Sequence, residues 1–253
     1  MYTVERRRML VDRARQTGRV DVSGMSGELG LAPETIRRDL RDLELQGLIR
    51  RVHGGAVPVE RPAIAVPLAV RSTVRPAQDR RIAAAAATYL ACAESIYLDE
   101  GFLPGLIGEH LPPERCLTVV TPSLAIAAAL VKNSAVTVLL VGGRIRAETL
   151  GTIDHWAESM LKTLVLDLAF LGADGISAER GVSVSSAGAA AVKKAAMDAS
   201  RRRILVGDSS KYGTDSFVDF ARLDEFERFV TDDGLPAGRL APLHARGVEV
   251  TRV

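Results

Sequence analysis

The chain has 253 residues, 47% of them apolar, which is enough for one large domain, or a small and a medium one, around a true hydrophobic core. Its formal charge of +2 is unevenly spread: residues 1–57 carry eleven arginines against eight acids, and the rest carries 22 Lys+Arg against 23 acids, so the excess positive charge sits where it can meet phosphate. Cys92 and Cys116 have no zinc-ligand spacing and read as reduced core residues, no cofactor or metal is implied, and no apolar run approaches the roughly 20 residues of a membrane span, which makes a cytoplasmic protein the expectation.

Val4 to Thr17 reads as a first helix, with Met9, Leu10 and Ala14 facing a core and Gly18 ending it. Val20-Asp21-Val22 is a short extended piece, and Ser23 to Leu29 is a second helix with Met25 and Leu29 inward. Gly24 and Gly27 weaken that helix by up to about 1 kcal/mol each relative to alanine. Ile36, Leu40, Leu43 and Gly47 then recur at i, i+4, i+7 and i+11, one inward face of a third helix, which turns Thr35, Arg37, Arg38 and Arg41 elsewhere. Leu48 to Val52 is an apolar and basic strand signal, and His53-Gly54-Gly55 is a tight turn. A cationic helix followed by a cationic hairpin suits a DNA reader. The bland alternative is a solvated face on which Arg38 pairs with Asp42 and Asp39 with Arg41.

Thr35-Ile36-Arg37-Arg38-Asp39-Leu40, Leu43-Glu44, Gly47-Leu48 and Arg51-Val52-His53-Gly54-Gly55-Ala56 together resemble the signature of the DeoR family of bacterial transcriptional regulators. The resemblance implies a winged helix-turn-helix domain over residues 1–57, with the helix-turn-helix at about 20–39 and Gly30-Leu31 as its turn. Pro33 suits the first helical position, where its missing N–H is not needed. The family usually has serine at the position of Ala32, and losing that cap costs on the order of 1 kcal/mol. In such a module the recognition helix enters the major groove N-terminus first. Thr35 and Arg38 are therefore expected at base edges, with Arg37 and Arg41 split between bases and phosphates. Arg50, Arg51 and His53 are expected along the backbone or minor groove, although His53 could equally brace the wing.

Residues 58–76 include Pro58, Pro62, Pro67 and Pro76 and read as a stiff linker before a second domain over 77–253. Gln78 to Leu90 is an alanine-rich helix. Short apolar runs follow at 95–98, 117–120, 136–141, 166–171, 203–206 and 228–230, with helical segments at Pro122 to Val131, His155 to Leu161 and Ala187 to Ser200 between some of them. Runs of this kind belong to strands buried on both faces, so the expected fold class is α/β with a parallel sheet. Each run ends in a polar or glycine-rich turn, and in an open α/β sheet these turns gather at the carboxyl edge, where ligands bind. Glycines and helix N-termini there can approach an anion.

This half also resembles the DeoR family's C-terminal sensor, through Thr118-Val119-Val120-Thr121, Val141-Gly142-Gly143-Arg144, Ala169 to Gly175, Asp208-Ser209-Ser210-Lys211 and Val230-Thr231-Asp232. That sensor is similar in fold to ribose-5-phosphate isomerase and, in the family, binds phosphorylated sugars or related intermediates. Asp99, Glu100, Gly101, Thr121, Gly142, Gly143, Asp174, Lys193, Asp208 and Lys211 are the candidate effector contacts. Two departures stand out: Glu100-Gly101-Phe102-Leu103-Pro104 replaces a hydroxyl-rich loop, and Gly188 to Ala191 replaces acidic residues ahead of Val192-Lys193. Phe102 to Pro104 are expected to add bulk, and Glu100 to repel a dianion.

Two functions compete, beside a third reading as an architectural DNA-binding protein with a dead sensor. One is a repressor that binds double-stranded operator DNA as a homo-oligomer and is relieved by a phosphorylated sugar-like effector. The other is an isomerase or deaminase with an appended DNA-binding module, which needs a positioned general acid and base. The crevice turns offer Asp99, Glu100, Asp174 and Asp208 but no histidine, so no catalytic residue is assigned.

Overall fold

A computed structural model of the protein describes residues 3–45, 49–58, 76–112 and 116–253. The chain divides into two compact units, Met1–Val74 and Arg75–Val253. Gly47, Leu48 and most of the proline-rich stretch at 58–76 lie outside the described residues.

The first unit runs α1 (Thr3–Thr17), β1 (Val20–Asp21), α2 (Val22–Leu29), α3 (Pro33–Leu45), β2 (Ile49–Val52) and β3 (Gly55–Pro58). Its core is built by Leu10, Val11 and Ala14 of α1, Val22 and Met25 of α2, and Ile36, Leu40 and Leu43 of α3, with Val20, Ile49 and Ala56 from the strands. The inward face expected of α3 is therefore real at Ile36, Leu40 and Leu43. Met9 is an exception: the core takes Leu10, Val11 and Ala14 from α1, and Met9 faces solvent. Leu29 is only half-buried. α2 starts at Val22 because Asp21, in extended backbone, accepts the Gly24 N–H at 2.7 Å. It ends at Gly30, whose φ of 63° is the left-handed cap.

The strands form a small antiparallel sheet in the order β1-β3-β2. The His53-Gly54-Gly55 sequence follows from its geometry. Gly54 has φ 77°, and a Cβ on Gly55 would lie 2.0 Å from the Val20 carbonyl oxygen.

The second unit opens with α4 (Pro76–Ala87) and proceeds through β4 (Ser95–Leu98), α5 (Phe102–Gly108), β5 (Leu117–Thr121), α6 (Leu124–Leu130) and β6 (Val136–Leu140). A hairpin follows, β7 (Arg144–Ile145) and β8 (Thr152–Ile153), then α7 (His155–Leu161), β9 (Leu166–Gly172), β10 (Gly175–Ser177) and β11 (Gly181–Val184). The chain closes with α8 (Ala187–Asp198), β12 (Ser200–Val206), β13 (Val218–Ala221), β14 (Arg228–Thr231), α9 (Leu240–Ala245) and β15 (Glu249–Arg252). Seven strands pair in parallel in the order β15-β14-β12-β9-β4-β5-β6. Apolar clusters cover both faces, around Tyr97, Leu171 and Phe229 on one side and Ile96, Phe170 and Val230 on the other. Alternate residues of one strand serve opposite faces, which is why these strands read as continuous apolar runs.

Every expected strand is present, except that Val22 belongs to α2 and not to the extended piece before it, and the expected helices differ only at their ends. α6 begins at Leu124 because Ser123 caps it, accepting the Ile126 N–H at 3.3 Å, and α8 stops at Asp198 so that Ser200 can open β12. The sheet β10-β11-β13, the β7–β8 hairpin and edge strand β15 were not expected, being short or polar. Phe102, Leu103 and Pro104 do not form a loop. They are the first turn of α5, where Pro104 loses no intrahelical bond because the first helix N–H groups have none to make. Cys92 and Cys116 are exposed rather than buried.

Candidate functional site

In the first unit, tertiary contacts decide which arginines are available. The buried carboxylate of Asp39 accepts from Arg6 Nε at 2.5 Å and Arg7 Nε at 2.9 Å, and Arg7 also pairs with Asp42. Burial by itself would raise the pKa of Asp39, but the hydrogen bonds and charges of Arg6 and Arg7 outweigh it and hold the carboxyl below its usual range. The acids of α3 thus face α1. Local pairing of Arg38 with Asp42 and of Asp39 with Arg41 is not what the helix does. Arg38 and Arg41 are exposed, and among the described residues no carboxylate pairs with either. Thr35 is half-buried one turn earlier, and exposed Arg37 makes a 3.0 Å pair with Glu34.

On the wing, Arg50 and His53 are exposed. Arg51 is tied back to α3: Glu44 accepts its Nε at 2.5 Å and its backbone N–H at 2.8 Å, and the side-chain bond, then the backbone one, hold the Glu44 pKa down. Arg51 therefore fixes the angle between helix and wing. Arg19, absent from the sequence reading, donates to the His53 carbonyl at 2.9 Å and places another cation at the wing tip. A groove of about 360 Å³ lies between α3 and the wing, bounded by Arg37, Leu40, Arg51, His53 and neighbours.

In the second unit, all strand ends point to one edge because the sheet is parallel. The chain leaves β4 toward β5 and leaves β9 toward β12, so the order reverses between β4 and β9, the position at which open α/β sheets form a crevice. Asp99, fully buried, sits there. It accepts from the Lys193 ammonium, from the Gly172 N–H at 2.9 Å and from the Glu100 N–H at 2.9 Å. Lys193 also reaches the Gly172 carbonyl at 3.2 Å. Burial pushes the Asp99 pKa up, against the pull of Lys193, and places the Tyr97 hydroxyl well above its ordinary value.

A closed seam, too tight to admit a water-sized molecule, is bounded by Asp99, Glu100, Pro122, Thr152, Ile153, Ala189, Val192 and Lys193, and it is the cleft of this crevice. Glu100 does not stand as a free negative charge: its Oε1 accepts from Arg146 at 2.6 Å and its Oε2 from Thr149 at 2.5 Å. Thr121 is buried and its hydroxyl accepts the Ser123 N–H at 3.1 Å, while Gly101, φ 124°, precedes α5. Gly142 is exposed; Gly143, φ 144°, leaves no room for a Cβ beside the Ile153 carbonyl at 2.5 Å.

The other candidates do not border this cleft. Asp174 holds Ser185 through its N–H at 2.9 Å and its hydroxyl at 2.8 Å, and Asp208 caps Ser210 at 2.9 Å. Lys211 follows in the same turn, half-exposed, beyond β12. Arg146 and Thr149 were missed by the sequence reading, since only the folded hairpin brings them to Glu100.

An α3 helix whose Arg38 and Arg41 pair with no carboxylate among the described residues, beside a wing, in a chain that also carries an α/β unit with a crevice at its switch point, defines a DNA-binding transcriptional regulator. The chain belongs to the DeoR family: the DeoR-like helix-turn-helix domain matches residues 6–61 and the DeoR C terminal sensor domain residues 75–233. It is 35% identical to the uncharacterized HTH-type transcriptional regulator YgbI of Escherichia coli (strain K12), covering 93% of this chain and 92% of that one. It is 31% identical to the putative aga operon transcriptional repressor of Escherichia coli O157:H7, over 99% and 94%. At 27% it resembles the glycerol-3-phosphate regulon repressor of Escherichia coli (strain K12), over 92% of each. Among solved structures, ribose 5-phosphate isomerase from Methanocaldococcus jannaschii is 15% identical at a TM-score of 0.40, covering 55% of each chain, and lends no support to isomerase activity. The enzyme reading gives way to the regulator.

Proposed function

We propose that the chain represses a carbohydrate-catabolism operon, binding double-stranded operator DNA through α3 and the wing and releasing it when a phosphorylated sugar-like effector enters the sensor crevice. The observation that carries the DNA reading is the exposure of Arg38 and Arg41 with their neighbouring acids taken by α1. Arg38 and Thr35 read bases, Arg37 and Arg41 divide between bases and phosphates, and Arg50 and His53 follow the backbone. Arg51 contributes through the wing angle.

Relatives named as repressors of the aga operon and of the glycerol-3-phosphate regulon support the effector class. In this reading residues 1–57 form the reading head, 58–76 the linker and 77–253 the sensor, all in the cytoplasm with the DNA. One winged unit makes too few contacts for a selective genomic site, so the chain acts as a dimer or higher homo-oligomer on repeated half-sites. The test is a gel-shift titration on the DNA upstream of its own gene, with and without a panel of sugar phosphates, beside sedimentation of the free protein. A shift that no sugar phosphate relieves overturns the effector assignment, and a monomer bound to one half-site overturns the assembly.

A further inference from the structure

The loop after β4 carries Glu100, a carboxylate with both oxygens satisfied by one hairpin. Arg146 and Thr149 both lie between β7 and β8, and they hold Oε1 at 2.6 Å and Oε2 at 2.5 Å. The pair is nearly dry: the Arg146 and Glu100 side chains are 12% and 8% exposed. The hairpin is shaped around it. Leu150 takes the left-handed conformation, φ 54°, which costs a residue with a Cβ on the order of 1 kcal/mol or more. Residue 151 is glycine where a Cβ would fall 1.8 Å from Glu100 Oε2. A guanidinium and a hydroxyl converging on one anion are the donor set that proteins use for phosphoryl and carboxylate groups.

Charge accounting in the cleft sharpens this. Its charged lining residues are Asp99, Glu100 and Lys193. Lys193 is committed to Asp99, and the cation behind Glu100 is committed to Glu100. The cleft has no room for a water-sized molecule as it stands, so an anionic ligand must open it; there it meets two neutralised pairs, and of the two, only the Glu100 side chain can be exchanged without leaving a fully buried carboxylate alone.

We propose that Arg146 and Thr149 form an anion site which Glu100 occupies as a resident competitor, so that a ligand's phosphoryl or carboxylate group binds by displacing the Glu100 side chain and releasing the hairpin's grip on the β4 loop. The identity of the displacing group rests on the sugar-phosphate reading above; the site itself does not. Self-occupation lowers apparent affinity by the fraction of molecules in which Glu100 has swung out. A minor state of about 1–10% would weaken anion binding about ten- to a hundred-fold.

The test uses the full-length protein and inorganic phosphate at constant ionic strength, with binding read by melting shift and calorimetry. Glu100→Gln keeps the shape and removes the competing charge. It should bind phosphate about ten- to a hundred-fold more tightly than wild type, and adding Arg146→Met should abolish the gain. Glu100→Ala supplies the same comparison should the glutamine variant melt poorly. An affinity within twofold of wild type for both Glu100 variants, or a gain that survives loss of Arg146, overturns the proposal. DNA release by sugar phosphates, measured on the same variants, reports separately on the effector reading: tight phosphate binding without DNA release sinks that reading and leaves the anion site standing.

Discussion

Asp39→Asn tests the claim that α1 arginines hold α3 and free its own arginines. Asp39 is 2% exposed and bridges Arg6 and Arg7, whose side chains are 11% and 27% exposed. Removing one partner of a buried pair costs about 3–5 kcal/mol. Asparagine keeps the volume and one acceptor, and both arginines retain some access to water, so the expected loss is about 2–3 kcal/mol. For a small unit that is a large share of its stability.

The pH dependence follows from the same contacts. Arg6 and Arg7 hold the folded-state pKa of Asp39 below its unfolded value, so the stabilisation is present above about pH 4 and is lost as pH falls through the folded-state value. The gap between wild type and variant should therefore close as pH drops below about 4. The assay is urea unfolding followed by far-ultraviolet circular dichroism at pH 7, 5 and 3. A deficit under about 0.5 kcal/mol at pH 7, the range of ordinary surface substitutions, would refute the reasoning. So would a deficit that stays constant down to pH 3.

Arg38→Ala should cost about 1–3 kcal/mol on operator DNA and relax preference at one or two base pairs, whereas Arg50→Ala should weaken operator and random DNA alike; competitive gel shifts separate the two. Gly55→Ala forces a methyl against the Val20 carbonyl oxygen, backbone that cannot swing aside, so it should cost about 1–3 kcal/mol in thermal melting and weaken DNA binding by parting β1 from the wing. Lys193→Met leaves buried Asp99 without its cation and should lower sensor stability by about 3–5 kcal/mol at pH 7; a melting temperature equal to wild type would show that the pair does not hold the crevice.

Periodicity was enough for the first unit's helices and for six of the seven strands of the parallel sheet. Ile36, Leu40 and Leu43 at helical spacing, and apolar runs such as Leu166 to Leu171 with no alternation, each admit few solutions once one face or both must be buried. The turn in the family signature was local too, because Gly54 takes a positive φ of 77°, whereas Gly55 is demanded by the approach of Val20 from another strand, 35 positions away. Short-range chemistry of this kind leaves its mark in the order of residues.

What the order of residues could not decide was which charges meet. Asp39 has Arg38, Arg41 and the distant Arg6 and Arg7 to choose from, and only the packing of α1 on α3 gives it to the last two. Glu100 reads as a repulsive charge until the β7–β8 hairpin brings Arg146 and Thr149 to it across more than forty positions. Lys193 and Lys211 look alike as sensor cations, yet one is buried on Asp99 and the other lies outside the cleft. Ion pairs form at a few ångströms between side chains long enough to reach several partners, so their pattern belongs to the tertiary structure and not to the sequence.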